Sequence, residues 1–263
     1  RTVDATNPRA LVKLALLERS RGNDSEAARL AGELTEHHPE SGMGFLIQGQ
    51  LMMDDGNYLV AADFLERAYE LNRDPVSVSR YYMALTRSGE AARAEQVMSG
   101  WLDANPSDSI SRLAVAEEAK RMGDNRRAVR EYEWVSRQEP DNVPVLVKLA
   151  NGYHALGDRR DLKTAQRAYE LAPEDAYAKH LYAWLLVDTG LAERGAEILR
   201  EVVVQAPDNA TFRYHLAVAL DESGEQDQAR DVLQALANRR QSFPEQADAQ
   251  RLMDKYRVTP DVL

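Results

Sequence analysis

Seven glycines recur at a nearly constant interval, and they constrain the fold of this chain more than any other feature. Consecutive members of the set are 33 or 34 residues apart. They are Gly22, Gly56, Gly89, Gly123, Gly157, Gly190 and Gly224. A fixed period of this length is typical of chains built from stacked copies of one structural unit. We therefore expect an elongated repeat array rather than two globular domains for the 263 residues.

The residues around each glycine predict that the unit is a helical hairpin. Apolar residues recur at intervals of three and four, which favours helices over strands. Five of the first six units carry a proline near their end, and the second unit has Arg73 in its place. Small residues lie on both sides of the glycine, except where Tyr82 and Leu162 fill such positions. The glycine ends one helix, the proline stops the next, and the small residues let the two helices approach closely. Because Arg73 and Tyr82 break this pattern, we predict that the third hairpin opens first.

The period and the marks within it, including the stretch LANGYHALGD at 149–158, resemble the tetratricopeptide repeat. The resemblance implies an all-α fold, a right-handed superhelical solenoid of seven helical hairpins plus a C-terminal capping helix. The predicted bounds are a lead-in at 1–7, repeats over 8–244, a capping helix at 244–257 and a tail at 258–263. The seven repeats are predicted at 8–41, 42–74, 75–108, 109–142, 143–175, 176–209 and 210–243.

The resemblance also implies a binding surface, because in this family the first helix of each hairpin lines a concave groove. At the groove positions we predict partner-binding residues of three kinds: adaptable or apolar side chains, aromatic anchors, and polar or basic groups. They are Met43, Leu46, Met53, Met83, Arg87, Leu113, Lys120, Arg121, Asn151, His154, Tyr177, His180, Trp184 and Tyr214. Arg87, Lys120 and Arg121 are expected to form a basic patch that orients a bound segment. Tyr177, Trp184 and Tyr214 are expected to be more exposed than core tryptophans such as Trp134, so that replacing each by Ala weakens binding and changes fold stability little.

One subgroup of the family holds the C-terminal carboxylates of chaperones with paired Lys and Asn residues. Asn151 matches one of these positions, but the companion Lys position holds Val147. Binding of chaperone tails is therefore disfavoured, although another carboxylate remains a suitable ligand for the basic patch.

Residues for catalysis are scarce, and the sequence predicts that this protein is not an enzyme. It has no cysteine and five histidines, and none of the histidines has the spacing of a metal or catalytic motif. We therefore expect no cofactor and no metal. A net charge of −10 opposes general binding to nucleic acid or anionic membranes. The expected partner is a protein or peptide, with no nucleic acid and no membrane insertion.

A second resemblance concerns the cellular compartment. The stretch PDNATFRYHLA at 207–217, followed by Gly224 and the Phe-Pro-Glu at 243–245, resembles bacterial repeat proteins of exopolysaccharide and exosortase (PEP-CTERM) systems. Many of those relatives are lipoproteins, so the likeness implies the bacterial periplasm or envelope, with the cytoplasm as the alternative. The first residues do not have the pattern of a signal peptide. Without an initiator Met, the chain is expected to be a processed product or an excised domain.

These observations predict a noncatalytic scaffold that binds a peptide or protein segment in its groove, in bacterial envelope or exopolysaccharide assembly. The alternative is a structural spacer or oligomerisation module whose groove stays empty.

Overall fold

The computed structural model describes residues 7–239 and 242–260, and over these residues the secondary structure consists of fifteen α-helices with no strand. The helices are α1 Pro8–Ser20, α2 Asp24–His37, α3 Gly42–Asp54, α4 Tyr58–Asn72, α5 Pro75–Ser88, α6 Ala91–Ala104, α7 Ser109–Arg121, α8 Asn125–Gln138, α9 Val143–Ala155, α10 Asp161–Leu171, α11 Ala176–Asp188, α12 Ala192–Gln205, α13 Ala210–Glu222, α14 Gln226–Ala237 and α15 Gln246–Tyr256. Residues 1–6 of the predicted lead-in and 261–263 of the predicted tail lie outside the described residues. The expected all-α fold of helical hairpins is confirmed.

The repeated glycines lie between the two helices of each hairpin. Their backbone is in the left-handed region, which residues with a side chain rarely adopt. Gly89 ends α5 with φ 92°, and its N–H donates to the carbonyl oxygens of the last turn. The other six have φ between 66° and 86°. A Cβ atom at Gly89 would meet no atom within 4 Å. The requirement for glycine at this turn is therefore one of backbone angle and not of space.

Polar side chains cap the N-termini of the first helices. The Asp108 carboxylate accepts hydrogen bonds from the backbone N–H groups of Ile110 (2.9 Å) and Ser111 (3.2 Å). Asp175 caps α11 in the same way. Such caps satisfy N–H groups that have no partner inside the helix, so each hairpin carries its own start signal.

Arg73, which stands where other repeats have proline, ends α4 by a different device. Its backbone is left-handed, with φ 47° and ψ 51°, and its N–H donates to the Tyr69 carbonyl oxygen. Asp74 then caps α5, and Pro75 is the first residue of that helix. The chain turns here without a proline after α4 because Arg73 adopts a conformation more typical of glycine.

The chain divides into two compact units at residues 131 and 132, within α8. Unit 1 contains the hairpins α1–α2, α3–α4 and α5–α6, then α7 and the first part of α8. Its core includes Leu34, Leu65 and Leu85, all fully buried. Helices approach closely at Gly49, where an added Cβ atom would lie 2.5 Å from Leu65 Cγ.

Unit 2 contains the remainder of α8, the hairpins α9–α10, α11–α12 and α13–α14, and the final helix α15. Leu185, Leu199 and Leu233 are fully buried in it. Ala249 and Met253 of α15 are buried in the same cluster as Leu233. The last helix therefore covers apolar surface of α14, as a terminal helix of a repeat array must.

Tyr82 occupies a small-residue position in α5 and is completely buried, yet its hydroxyl has no hydrogen-bond partner among the described residues. We expect Tyr82→Phe to preserve or increase stability, by up to about 1 kcal/mol, because it removes an unsatisfied buried polar group. The matched control is Tyr81→Phe, since the neighbouring Tyr81 hydroxyl donates to Glu66 at 2.8 Å. That change should cost about 1 kcal/mol. Urea unfolding of both variants measures the difference, and a larger loss for Tyr82→Phe would contradict this interpretation.

Candidate functional site

Within each unit, we call the surface formed by the first helices of its hairpins the first-helix face, and the predicted binding residues lie on these helices. In unit 1, Met43, Leu46, Met83 and Leu113 are half-buried, while Lys120 and Arg121 are exposed. In unit 2, Tyr177 and Asn151 are exposed, and a third group is half-buried: His154, His180, Trp184 and Tyr214. Met53 differs from the expectation, because it is only 5% exposed and belongs to the core cluster of Leu65 and Leu85.

The first-helix face of unit 1 contains a cleft between α1, α3 and α5, which we call the unit 1 cleft. Its volume is about 150 Å³. Its lining is mostly apolar with two arginines: Leu16, Arg19, Met43, Leu46, Ile47, Gln50, Val76 and Arg80. Leu16 and Val76 remain 45% and 44% exposed, so apolar surface of the cleft is open to water. An exposed apolar concavity of this kind is suited to receive a side chain of a partner.

The two arginines of the cleft differ in their partners. Arg19 donates to Asp54 Oδ2 from Nε (2.9 Å) and Nη2 (2.6 Å), and Gln50 donates to Asp54 Oδ1 at 2.9 Å. Arg80 makes no ion pair within the part of the chain that the structure describes. Arg80 is exposed at the cleft, yet the desolvation of its guanidinium and the positive charges of Arg19 and Arg87 lower its pKa, and only Asp54 opposes them. A carboxylate from a partner would relieve this unfavourable environment.

Arg80 was not among the predicted groove residues, although a signal for it exists in the sequence. Arg80 lies nine residues before the glycine that ends its helix. Predicted groove residues such as Leu46 and Leu113 lie ten residues before theirs, so Arg80 occupies the next position along the helix. The same position in the other repeats holds Lys13, Ile47, Ala114, Lys148, Leu181 and His215. Four of the seven residues are basic or histidine, and this pattern would have indicated a polar row beside the groove.

Two of the three residues of the predicted basic patch form ion pairs with a carboxylate of this chain. Glu118 of α7 is 1% exposed and accepts from Arg87 at 2.5 and 3.0 Å and from Arg121 at 2.6 Å. Of the three basic residues of the predicted patch, Arg87 and Arg121 are therefore already engaged by the chain itself, and the orienting role of the patch stays a prediction. Two of them neutralise a buried carboxylate, which would otherwise be costly to bury. Lys120 remains exposed.

In unit 2, six rings of α11 and α13 form a continuous set of contacts. The Trp184 ring stacks on His215 (3.8 Å between centroids), and His180 stacks on Phe212 (4.2 Å). Tyr177 meets Phe212 edge-on, and Tyr214 lies beside His215. Trp184 thus joins two hairpins and is half-buried, so its role as an anchor for a partner stays a prediction. Tyr177, which is 65% exposed, is the residue that most resembles one.

His180 and His215 are hydrogen-bonded to each other, with 2.7 Å between Nε2 and Nδ1. Burial and the neighbouring His215 lower the pKa of His180 to about 3, and burial lowers that of His215 to about 4. Both rings are therefore neutral at pH 7. Within the described residues, no three His, Asp or Glu side chains are grouped as a metal ion would require.

The other predicted polar residues make local contacts. The Asn151 side chain donates to the Val147 carbonyl oxygen of its own helix at 2.9 Å. His154 Nδ1 lies 3.2 Å from Asp161. Among the described helices, none combines the length and the apolar character needed to span a membrane.

Comparison with known proteins agrees with the repeat geometry. Two family models, both described as tetratricopeptide repeat, match residues 12–75 and 190–255. The chain is a tetratricopeptide repeat protein, and such repeats serve as scaffolds for protein interactions. A curated relative is the Cellulose synthase 2 operon protein C of Komagataeibacter xylinus, 31% identical over 188 residues. The match covers 68% of this chain but only 13% of the relative.

Solved structures share the fold at low identity. Yeast Tom70 superposes with a TM-score of 0.70 and 15% identity, covering 84% of this chain and 48% of Tom70. The C-terminal part of a repeat protein from Cytophaga hutchinsonii gives 0.62 and 14%, covering 90% and 98%. A tetratricopeptide repeat protein from Parabacteroides merdae gives 0.58 and 15%, covering 83% and 86%. These similarities concern the fold alone.

Proposed function

We propose that this chain is a noncatalytic scaffold that binds a segment of another protein on its first-helix face, with the unit 1 cleft as its main site. The observation that carries the proposal is the arrangement of the cleft, where open apolar walls surround an arginine without an ion pair. An extended segment would place an apolar side chain between Leu16, Leu46 and Val76. A carboxylate on the same segment would accept hydrogen bonds from Arg80.

The charge of the chain makes this site selective. The protein carries 43 acidic against 33 basic residues, so it repels acidic partners over most of its surface. Arg9 and Lys13 of α1 border a second cleft that shares Met43 with the unit 1 cleft. Basic residues thus follow the apolar surface from one cleft to the other. This local charge is expected to attract an acidic segment and to fix its register.

A peptide selection tests the proposal. We expect a random peptide library screened against the chain to yield peptides that combine an apolar residue with Asp, Glu or a free C-terminus. Arg80→Gln should weaken their binding by about tenfold to a hundredfold, the loss typical of a charge-assisted hydrogen bond at an interface. Fluorescence anisotropy with labelled peptides measures the Kd.

The matched control is Arg130→Gln, which makes the same change at an exposed residue of α8. It should alter the Kd less than twofold, because Arg130 does not line the cleft and acts on a bound peptide only through screened electrostatics. Equal effects of the two variants would contradict the proposed site.

The second candidate function is a structural spacer or oligomerisation module. A selection that enriches no peptide, together with a concentration-dependent dimer in analytical ultracentrifugation, would favour it. Nucleic acid is not proposed as a partner, because the net charge of −10 opposes phosphate binding.

We further propose that the chain works in the bacterial periplasm or envelope, in the assembly of an exopolysaccharide. The similarity to a protein of a cellulose synthase operon supports this proposal, as does the resemblance of residues 207–245 to exopolysaccharide-system repeat proteins. Fractionation of the source cells with an antibody against the chain tests the location. Recovery in the cytoplasmic fraction would support the alternative.

A further inference from the structure

The first-helix face of unit 2 differs in character from the unit 1 cleft, because its exposed groups are aromatic and acidic. Tyr177 and Trp184 lie on α11, seven residues apart and therefore on one side of the helix. Tyr214 lies on α13. The contacts of these rings with Phe212 and His215 fix their orientation before any partner arrives. Rings held in this way lose little conformational entropy when a partner stacks on them.

Two carboxylates continue this surface. Asp188 follows Trp184 by one helical turn, and Glu222 follows Tyr214 by about two turns. Both are exposed, and neither forms an ion pair within the residues that the structure describes. Asp221, between them and α15, differs because it accepts from Lys255 at 2.6 Å and also from the Tyr256 hydroxyl.

The electrostatics show that Glu222 lacks a positive partner. Partial shielding from water raises the pKa of this otherwise exposed carboxyl group, and the negative charges of Asp221 and Asp188 raise it further. For Asp221, the hydrogen bonds from Lys255 and Tyr256 outweigh burial and lower the pKa. The two neighbouring carboxyl groups therefore have opposite shifts, because only one of them has a cation beside it.

We propose that the first-helix face of unit 2 binds a protein segment bearing Arg or Lys beside apolar residues. The cationic head would lie between Asp188 and Glu222, and the aliphatic stem and its apolar neighbours would stack on Tyr177 and Trp184. This inference rests on the proposed function, in which first-helix faces dock protein segments, and it specifies the chemistry of the second partner segment. The two units then select segments of opposite charge.

The test uses the full chain and two labelled decapeptides of alternating residues, one of Leu and Arg and one of Leu and Glu. At 0.15 M salt, the double variant Asp188→Asn/Glu222→Gln should weaken binding of the Leu-Arg peptide by about tenfold or more. Tyr177→Ala should weaken it by about fivefold to tenfold, since an aromatic anchor is lost. Neither change creates a cavity, because all three side chains are exposed, and far-UV circular dichroism checks the fold.

The control for nonspecific attraction is the double variant Glu193→Gln/Glu197→Gln, which removes the same charge from exposed positions of α12. It should change the Kd of the Leu-Arg peptide less than twofold. An effect as large as that of Asp188→Asn/Glu222→Gln would overturn the inference, because binding would then follow net charge alone.

The remaining outcomes separate this inference from the proposed function. Only the inference fails if Arg80→Gln weakens binding of the Leu-Glu peptide while none of the unit 2 variants changes the Kd of the Leu-Arg peptide. If neither peptide binds, both the inference and the proposed function fail.

A cello-oligosaccharide provides a third probe, because sugar rings also stack on aromatic faces. The inference would be overturned in favour of a glycan site by two results together. The oligosaccharide would bind in a way that depends on Tyr177 but not on Asp188 or Glu222, and the Leu-Arg peptide would not bind.

Discussion

Lowering the pH from 7 to 5 is expected to destabilise unit 2 by about 2–4 kcal/mol through His180 and His215. In the folded chain their pKa values lie at about 3 and about 4, whereas an unfolded histidine has a pKa near 6.5. Between these limits the unfolded chain binds more protons than the folded chain. Stability is therefore full above pH 6.5 and is lost as the pH falls towards 4. The physical cause is that the rings are stacked among Trp184 and Phe212, with little water to solvate a charge.

Urea unfolding at pH 7 and pH 5, followed by tryptophan fluorescence, measures this loss. His180→Gln should remove about half of the pH-dependent difference, since one of the two titrating rings is gone. His37→Gln is the control, because His37 is an exposed histidine at the end of α2. It should leave the difference unchanged. If His180→Gln also leaves it unchanged, acid destabilisation arises from other groups, and the assignment to the histidine pair is wrong.

The second large effect is expected at Glu118. Replacing it by Ala should destabilise unit 1 by about 3–5 kcal/mol, the cost of breaking a buried ion pair. The change removes the only carboxylate that ion-pairs with Arg87 and Arg121 among the described residues. Arg87 is 25% exposed and keeps little access to water, so its charge is then poorly compensated. Urea unfolding followed by circular dichroism measures the loss.

The control is Glu70→Ala, which breaks the exposed pair of Arg67 and Glu70 at 2.9 Å, with both side chains more than half exposed. Such pairs contribute little, so its effect should be much smaller. The double variant Arg87→Ala/Glu118→Ala completes a cycle that isolates the interaction of the two residues. A loss for Glu118→Ala no larger than for Glu70→Ala would show that the arginines rearrange into water at no cost.

The hairpins could be predicted from sequence because the residues that begin and end each helix act on their near neighbours in the chain. A turn glycine such as Gly89 and a cap such as Asp108 act on residues within one or two turns of themselves. These turn and cap residues recur in every repeat at intervals of about 34 residues. Small residues such as Ala150, which is fully buried, mark where the paired helices contact each other. The assignment of the first helices to the groove came from the family resemblance, and 3.6 residues per turn then fixed which of their side chains share a side of each helix.

The identity of the free groups on that face could not be predicted in this way. Arg80 and Arg87 lie two turns apart on α5, and periodicity treats them as neighbours on one surface. Glu118, 31 residues further along, neutralises Arg87 and leaves Arg80 without an ion pair among the described residues. This choice depends on the reach and angle of side chains on different helices.

The same distinction explains why Met53 does not line the groove and why Trp184 is only partly exposed. Both stand at groove positions of the repeat, but Met53 is buried in the core of unit 1 and Trp184 stacks on His215 of the following hairpin. The sequence by itself determined the repeat, its helices and their turns, because those follow from backbone preferences acting over a few residues, and the family resemblance added the groove face. Only the tertiary structure decided which charges are paired and which rings are covered, because burial and ion pairing depend on contacts between residues that are distant in the chain.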